Sequence, residues 1–240
     1  MRRQNNSISS WTQCIHTLVW CALLACQPVH AADNETPLRT FGYQPLEIYE
    51  FANGTTRLRL ADINTDGRDD VAFVNNYESR IEILLRRDAP TLGSGELPSL
   101  DETFRDVGFI IDNAVSDFQI GDLDNDGNPD IVTLGPAFGI EFHKQTNEER
   151  FQDPIRYSIN DPTTAFEVHL SQLDEHDGID MIVSHQNGAE ILWSDSETAF
   201  KTRTHLTFAA ARCRHISTAD VNGDARKDLL FFFPGTDLPL

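Results

Sequence analysis

An acidic loop near the middle of the chain has side chains suited to binding a metal ion. It carries an acid at positions 1, 3, 5 and 9 and a glycine at position 6: Asp122, Asp124, Asp126, Asp130 and Gly127. Ca²⁺ binds roughly six to eight oxygen atoms, and alternate side chains of a tight loop can converge on one such ion. Glycine at position 6 permits the positive φ that turns the backbone around it. The loop therefore predicts a calcium site.

Three other segments repeat this loop, at residues 62–70, 172–180 and 220–228. The four loops begin at residues 62, 122, 172 and 220, so successive spacings are 60, 50 and 48. Each loop runs into an apolar stretch that is typical of a strand, as in Ile131–Leu134 after the second loop. A repeat of this length is typical of propellers and solenoids.

Two of the copies depart from the pattern. The third loop has Gln172 at position 1, His176 at position 5 and Asp177 at position 6, so whether it binds metal is left open. The fourth has Ala225 at position 6, which should cost some backbone strain while keeping the acids at positions 1, 5 and 9.

An EF-hand begins with the same residue types but is excluded here. It needs a bidentate glutamate at position 12 and a helix on each side of the loop. Position 12 is Phe73, Thr133 and Phe231 in the first, second and fourth loops, within strand-like runs.

The first 31 residues have the features of a signal peptide. Arg2 and Arg3 precede a mostly apolar segment at residues 15–26, and residues 29–31 offer a small-residue cleavage site. We therefore predict export to the periplasm, the cell surface or the medium. The residues before Cys26 also resemble a bacterial lipobox, so a lipid anchor through Cys26 is the alternative. The apolar segment is too short for a transmembrane span.

Charge and cysteine content restrict the possible functions. Removing residues 1–31 leaves 209 residues and, because Arg2 and Arg3 are lost with no acid, moves the net charge from −19 to −21. Nucleic-acid binding needs positive charge, since it depends on neutralising phosphates. The sequence therefore predicts that the chain does not bind nucleic acid. Cys213 is the single cysteine beyond the signal region, which excludes an internal disulfide in the exported chain.

Residues 32–45 are polar and predict a leader, and residues 46–240 form the repeat region. In each unit, apolar alternation predicts a strand before the loop, a strand after it and further strands beyond. A strand is also predicted at Leu46–Phe51. No segment shows a sustained helical period, so we predict an all-β fold.

The repeated acidic loops and the strands after them resemble the FG-GAP and VCBS repeats of integrin-α-like β-propellers. The likeness covers about residues 46–240. It implies four-stranded blades, with Ca²⁺ held in a loop that joins two strands of each blade. The fourth unit stops at Leu240 in mid-repeat, so we expect a partial, open propeller of three to four blades. Such a chain is expected to be a fragment of a longer protein or to pair its open sheet edges with a second copy.

The resemblance also implies the ligands of each site. Side chains at positions 1, 3, 5 and 9 and the backbone carbonyl at position 7 would bind the ion. In the first loop these are Asp62, Asn64, Asp66, Arg68 and Asp70; in the second, Asp122, Asp124, Asp126, Asn128 and Asp130; in the fourth, Asp220, Asn222, Asp224, Arg226 and Asp228.

No sequence pattern for catalysis is present: there is no nucleophile elbow, phosphate-binding glycine loop or His-Glu-x-x-His motif. The resemblance favours a calcium-binding module for adhesion, scaffolding, or binding a protein or carbohydrate ligand. Some enzymes similar to this family, polysaccharide lyases among them, use such a scaffold. A carbohydrate-active enzyme, or its non-catalytic propeller fragment, is therefore the alternative.

Overall fold

The computed structural model describes residues 51, 54–88, 99–146, 150–176, 178–194, 200–208 and 213–233. The predicted signal peptide, the leader and all but the last residue of the predicted strand at Leu46–Phe51 lie outside these residues. So does Asp177. All fifteen predicted metal ligands are described.

In the described residues, four antiparallel sheets follow one another along the chain, with one separate two-stranded hairpin. In the first, the strand order is β1-β2-β3-β4, and the short β5 also pairs with β3. A four-residue helix, α1, comes before β4. The bounds are β1 Thr55–Ala61, β2 Asp70–Asn75, β3 Arg80–Arg86, α1 Leu100–Thr103, β4 Phe104–Asp106 and β5 Phe109–Ile110.

The second and third sheets have four strands each, and two strands of the fourth are described. Their orders are β11-β8-β7-β6, β12-β13-β14-β15 and β16-β17, while β9 and β10 form a small separate hairpin. The second sheet and the hairpin comprise β6 Asp117–Gly121, β7 Asp130–Gly135, β8 Gly139–His143, β9 Gln145–Thr146, β10 Arg150–Phe151 and β11 Ile155–Tyr157. The third and fourth comprise β12 Glu167–Ser171, β13 Asp180–His185, β14 Gly188–Trp193, β15 Thr202–Thr207, β16 His215–Ala219 and β17 Asp228–Phe232.

The hydrophobic core lies between consecutive sheets. Strand β7 is buried along its whole length. Its Ile131 packs in a cluster with residues of the first sheet, whereas Val132 and Leu134 pack with residues of the third. Because side chains alternate across a strand, one buried strand can supply both interfaces. Strand β13 does the same: Met181 packs toward the second sheet and Ile182 toward the fourth.

The predicted all-β class is confirmed, and the apolar run after each of the four loops is a strand. Sequence reasoning missed helix α1 and the β9–β10 hairpin. The helix begins with a capping box in which Ser99 and Glu102 exchange hydrogen bonds. Four residues are too few to show a helical period. Among the described residues, no helix is long and apolar enough to cross a membrane.

Candidate metal centre

The acidic loops occupy the same place in all four sheets. Each connects the first strand of its sheet to the second: β1 to β2, β6 to β7, β12 to β13 and β16 to β17. The following strand is a central one in the first three sheets. A rigid, buried strand therefore holds one end of the loop, which reduces the freedom of the acidic side chains.

In the second loop, acidic side chains bind backbone amides of the loop itself. Asp122 accepts hydrogen bonds from the amides of Asp126 (3.1 Å) and Gly127 (2.9 Å), one on each carboxylate oxygen. Asp126 accepts from the amide of Asn128 at 2.9 Å. Asp124 accepts from the Asp126 amide at 3.3 Å. The alternate side chains thus turn toward one side of the loop.

The first and fourth loops contain the same set of bonds. Position 1 accepts from the amides of positions 5 and 6, position 3 from position 5, and position 5 from position 7. In the first loop the acceptors are Asp62, Asn64 and Asp66, at 2.8–3.2 Å. In the fourth they are Asp220, Asn222 and Asp224, at 2.8–3.2 Å. These amide bonds lower the pKa of Asp220, the bond from Ala225 most of all.

Two backbone positions in each of these loops are left-handed, where sequence reasoning had expected one. Position 6 has the predicted positive φ, at +84° in Gly67 and +87° in Gly127. Position 4 is left-handed too, with φ of 58° at both Thr65 and Asn125. In the fourth loop the glycine is at position 4, Gly223, and the non-glycine residue is at position 6, Ala225.

Position 9 has a structural role that the sequence prediction missed. Asp130 is fully buried, and its two oxygens accept hydrogen bonds from the amides of Leu123 (3.0 Å) and Gln145 (2.9 Å). Burial raises the pKa of Asp130 to about 6, although both amide bonds lower it. Asp130 thus joins the start of the loop to Gln145, the first residue of β9.

The second loop has the densest set of carboxylates. Asp122, Asp124 and Asp130 each offer an oxygen within 4.8 Å of the others. In the first and fourth loops an asparagine replaces the acid at position 3, so a neutral amide oxygen takes that place. Donor sets made only of oxygen suit hard cations such as Ca²⁺. The residues present therefore fit the predicted ion.

Basic side chains reach two of these three loops. In the second, the Lys144 ammonium contacts Asp124 and lies 3.1 Å from the Asp126 carboxylate. In the first, Arg68 pairs with Asp66 at 2.8 Å and also contacts Asp88. These bonds raise the pKa of Lys144 and of Arg68.

In the fourth loop the basic side chain is directed elsewhere. Arg226, at position 7, contacts Glu175 of the third loop. Its amide still donates to Asp224 at 2.9 Å. A cavity of about 590 Å³ lies between these two loops.

The third loop lacks most of the shared geometry. Gln172 donates to the carbonyl of His176 at 3.0 Å, where the other loops have an aspartate that accepts from amides. The His176 ring lies 2.9 Å from Asp174, and this hydrogen bond raises the pKa of the imidazole. Asp180 nevertheless keeps both anchoring bonds, from the amides of Leu173 (2.9 Å) and Ser194 (2.8 Å).

Of the predicted ligands, the structure brings together the carboxylates of Asp122, Asp124 and Asp130 in the second loop, and Lys144 is an addition to that loop. Retention of Asp180 in a loop that has lost the acids at positions 1 and 5 was the sequence signal for the anchoring role of position 9. Nothing in the sequence placed Lys144 against the second loop, because that contact depends on how β8 pairs with β7.

Comparison with known proteins supplies little. No family model matches the chain, and no curated protein matches it. One similar solved structure is the Photorhabdus luminescens Tc holotoxin pore with the TccC3-D651A mutation, with 20% identity and a TM-score of 0.46. The match covers 75% of this chain and 8% of the toxin chain. A likeness of this size carries no argument about fold or function.

Proposed function

We propose that this chain is an exported calcium-binding β-propeller module in which each sheet is one blade of a partial ring. Ca²⁺ would bind in the first, second and fourth loops and stabilise the fold. The module would serve adhesion or scaffolding by presenting its surface to a protein or carbohydrate ligand.

One observation carries the proposal: the first, second and fourth loops have the same hydrogen-bond pattern in three different sheets. Each bond alone is an ordinary Asx turn; the support for a common metal site is that three loops in different sheets keep all of these acceptors. The shared pattern holds oxygen atoms of positions 1, 3 and 5 on one short segment. Carboxylates so close repel one another, and a divalent cation reverses the sign of that interaction.

Calcium binding to the folded state alone should raise the melting temperature. At a free concentration one hundred times Kd, one site adds about 2.7 kcal/mol. For a domain of this size that amounts to roughly 5–10 °C per site. We expect the full chain to melt at a clearly higher temperature in calcium chloride than in excess chelator, as measured by calorimetry.

Two variants at the same loop position provide the control. Asp124→Ala removes the position-3 ligand of the second loop and should lose part of the calcium-dependent increase. Asp174→Ala makes the same change in the third loop, which lacks the position-1 acid, and should keep the whole increase. Identical melting curves of the unmodified chain with calcium and with chelator would refute the proposal.

A further inference from the structure

The second loop differs from the others in having a lysine from a neighbouring strand end against its carboxylates. Lys144 directly follows β8, and its ammonium contacts the acids at positions 3 and 5, Asp124 and Asp126. About one third of the Lys144 side chain is exposed. Both carboxylates are predicted ligands of the ion.

Among the three sheets whose third strand the structure describes, strand pairing shows this lysine in one only. Ile131 pairs with His143, Val71 with Leu84 and Met181 with Leu192, so the next residues, Lys144, Leu85 and Trp193, are equivalent. Leu85 is buried in the hydrophobic core. The Trp193 ring nitrogen donates to Thr204 at 2.9 Å. In the first and third sheets this position therefore brings no charge to the loop.

We propose that the Lys144 ammonium is a built-in competitor of calcium, which must leave Asp124 and Asp126 before the ion can bind in the second loop. This inference rests on the proposed function, because it concerns regulation of the same site. Lys144 lowers the calcium affinity of the second loop and, in the absence of calcium, offsets part of the repulsion among its acids.

Charge and geometry together require this competition. In both acids Oδ1 accepts a backbone amide of the loop, and the Lys144 ammonium contacts Oδ2, the oxygen that is left to face a cation. If the lysine stays nearby after displacement, its charge also opposes the ion. The second loop should therefore bind calcium at a higher concentration than it would without Lys144.

Substitution of Lys144 separates the two effects. Lys144→Met keeps the length of the side chain and removes the charge, whereas Lys144→Arg keeps the charge. Lys201→Met makes the same chemical change at an exposed residue outside the four loops. This control measures the general effect of removing one positive charge from the chain.

Calcium chloride is titrated into the full chain and its variants while backbone amide resonances are followed by nuclear magnetic resonance. The Gly127 amide reports on the second loop and the Gly67 amide on the first, because each donates to the position-1 aspartate of its loop. We expect Lys144→Met to lower the calcium midpoint of Gly127 by about tenfold and to leave that of Gly67 unchanged. Lys144→Arg and Lys201→Met should leave both midpoints near their original values.

The inference and the proposed function fail in different ways. A Gly127 midpoint that is the same in the unmodified chain and in Lys144→Met would overturn the competition and leave calcium binding intact. Resonances of the first, second and fourth loops that do not respond to calcium in any variant would overturn both. Should Lys144→Met disturb amides outside the second loop, Lys144→Gln is judged by the same midpoints.

Discussion

At the residue scale, the two left-handed backbone positions explain where each loop has its glycine. Positions 4 and 6 both have positive φ, and glycine adopts that conformation without steric cost. The first two loops place glycine at position 6. The fourth places Gly223 at position 4 (φ 82°) and Ala225 at position 6 (φ 67°). The same turn is thus made from a different distribution of glycine.

Ala225 should therefore store backbone strain that glycine would release. A left-handed conformation costs a non-glycine residue roughly 1–2 kcal/mol, and glycine loses more chain entropy on folding. We expect Ala225→Gly to stabilise the chain by about 0.5–1 kcal/mol, measured by urea denaturation in excess chelator. The reverse change in the second loop, Gly127→Ala, serves as the control and should destabilise it by a similar amount. A stabilising effect of Gly127→Ala would contradict this explanation.

Sequence reasoning at this scale identified position 6 but not position 4. Glycine at position 6 is visible in two copies, and its positive φ follows from its freedom. Thr65 and Asn125 gave no such signal, because both residue types also occur with negative φ. Their conformation is imposed by the amide bonds to positions 1 and 3, which exist only once the loop has folded.

The relation between a loop and its sheet, at the element scale, depends on the aspartate at position 9. Asp70 and Asp130 each accept one amide bond from position 2 of the loop and one from a residue at the end of the third strand or just beyond it. Asp180 makes the corresponding pair of bonds. In each of these three sheets a single buried carboxylate thus joins the loop to two neighbouring strands.

Loss of this anchor should destabilise a sheet without involving calcium. Asp180→Ala leaves the amides of Leu173 and Ser194 without their acceptor, and an unsatisfied buried group costs roughly 1–3 kcal/mol. We expect a total loss of about 2–4 kcal/mol, equal in calcium and in chelator, by urea denaturation. Asp174→Ala, in the same loop but away from the anchor, should cost much less. A loss for Asp180→Ala that appears only in calcium would show that position 9 acts as a ligand even in the third loop.

Strands and loops were predictable at the element scale because both depend on local residue patterns. Alternating apolar residues indicated β6 and β12, and the apolar run after each loop indicated the central strand. The β9–β10 hairpin was missed because its segment is polar and short. The contact of Lys144 with the second loop was missed because it is set by strand register, which a single sequence does not specify.

Buried carboxylates also connect one sheet to the next across the whole molecule. Asp117, at the start of β6, is fully buried and pairs with Arg59 of the first sheet at 2.9 Å. Its other oxygen accepts from the amide of Val168 in the third sheet at 3.1 Å. Glu167, at the start of β12, accepts in the same way from Ile216 of the fourth sheet, at 3.0 Å. First-strand acids thus form a repeated link between sheets.

Asp117 should therefore couple the unfolding of the first three sheets. Removing one member of a buried ion pair commonly costs about 3–5 kcal/mol; Arg59 is 30% exposed, so solvent screening reduces this to roughly 2–4 kcal/mol. Trp193 in the third sheet is the single tryptophan beyond the predicted signal peptide. Its fluorescence therefore follows one sheet, while circular dichroism follows all of them.

In the chain without the predicted signal peptide, residues 1–31, and with no substitution, we expect both signals to change at the same urea concentration. In Asp117→Ala the circular dichroism midpoint should fall further than that of Trp193, because the first two sheets lose their link to the third. Asp117→Asn keeps an acceptor for the Val168 amide but loses the charge opposite Arg59. Its circular dichroism midpoint should lie between those of the unmodified chain and Asp117→Ala. If both midpoints of Asp117→Ala fall by equal amounts, Asp117 stabilises the molecule without coupling its sheets.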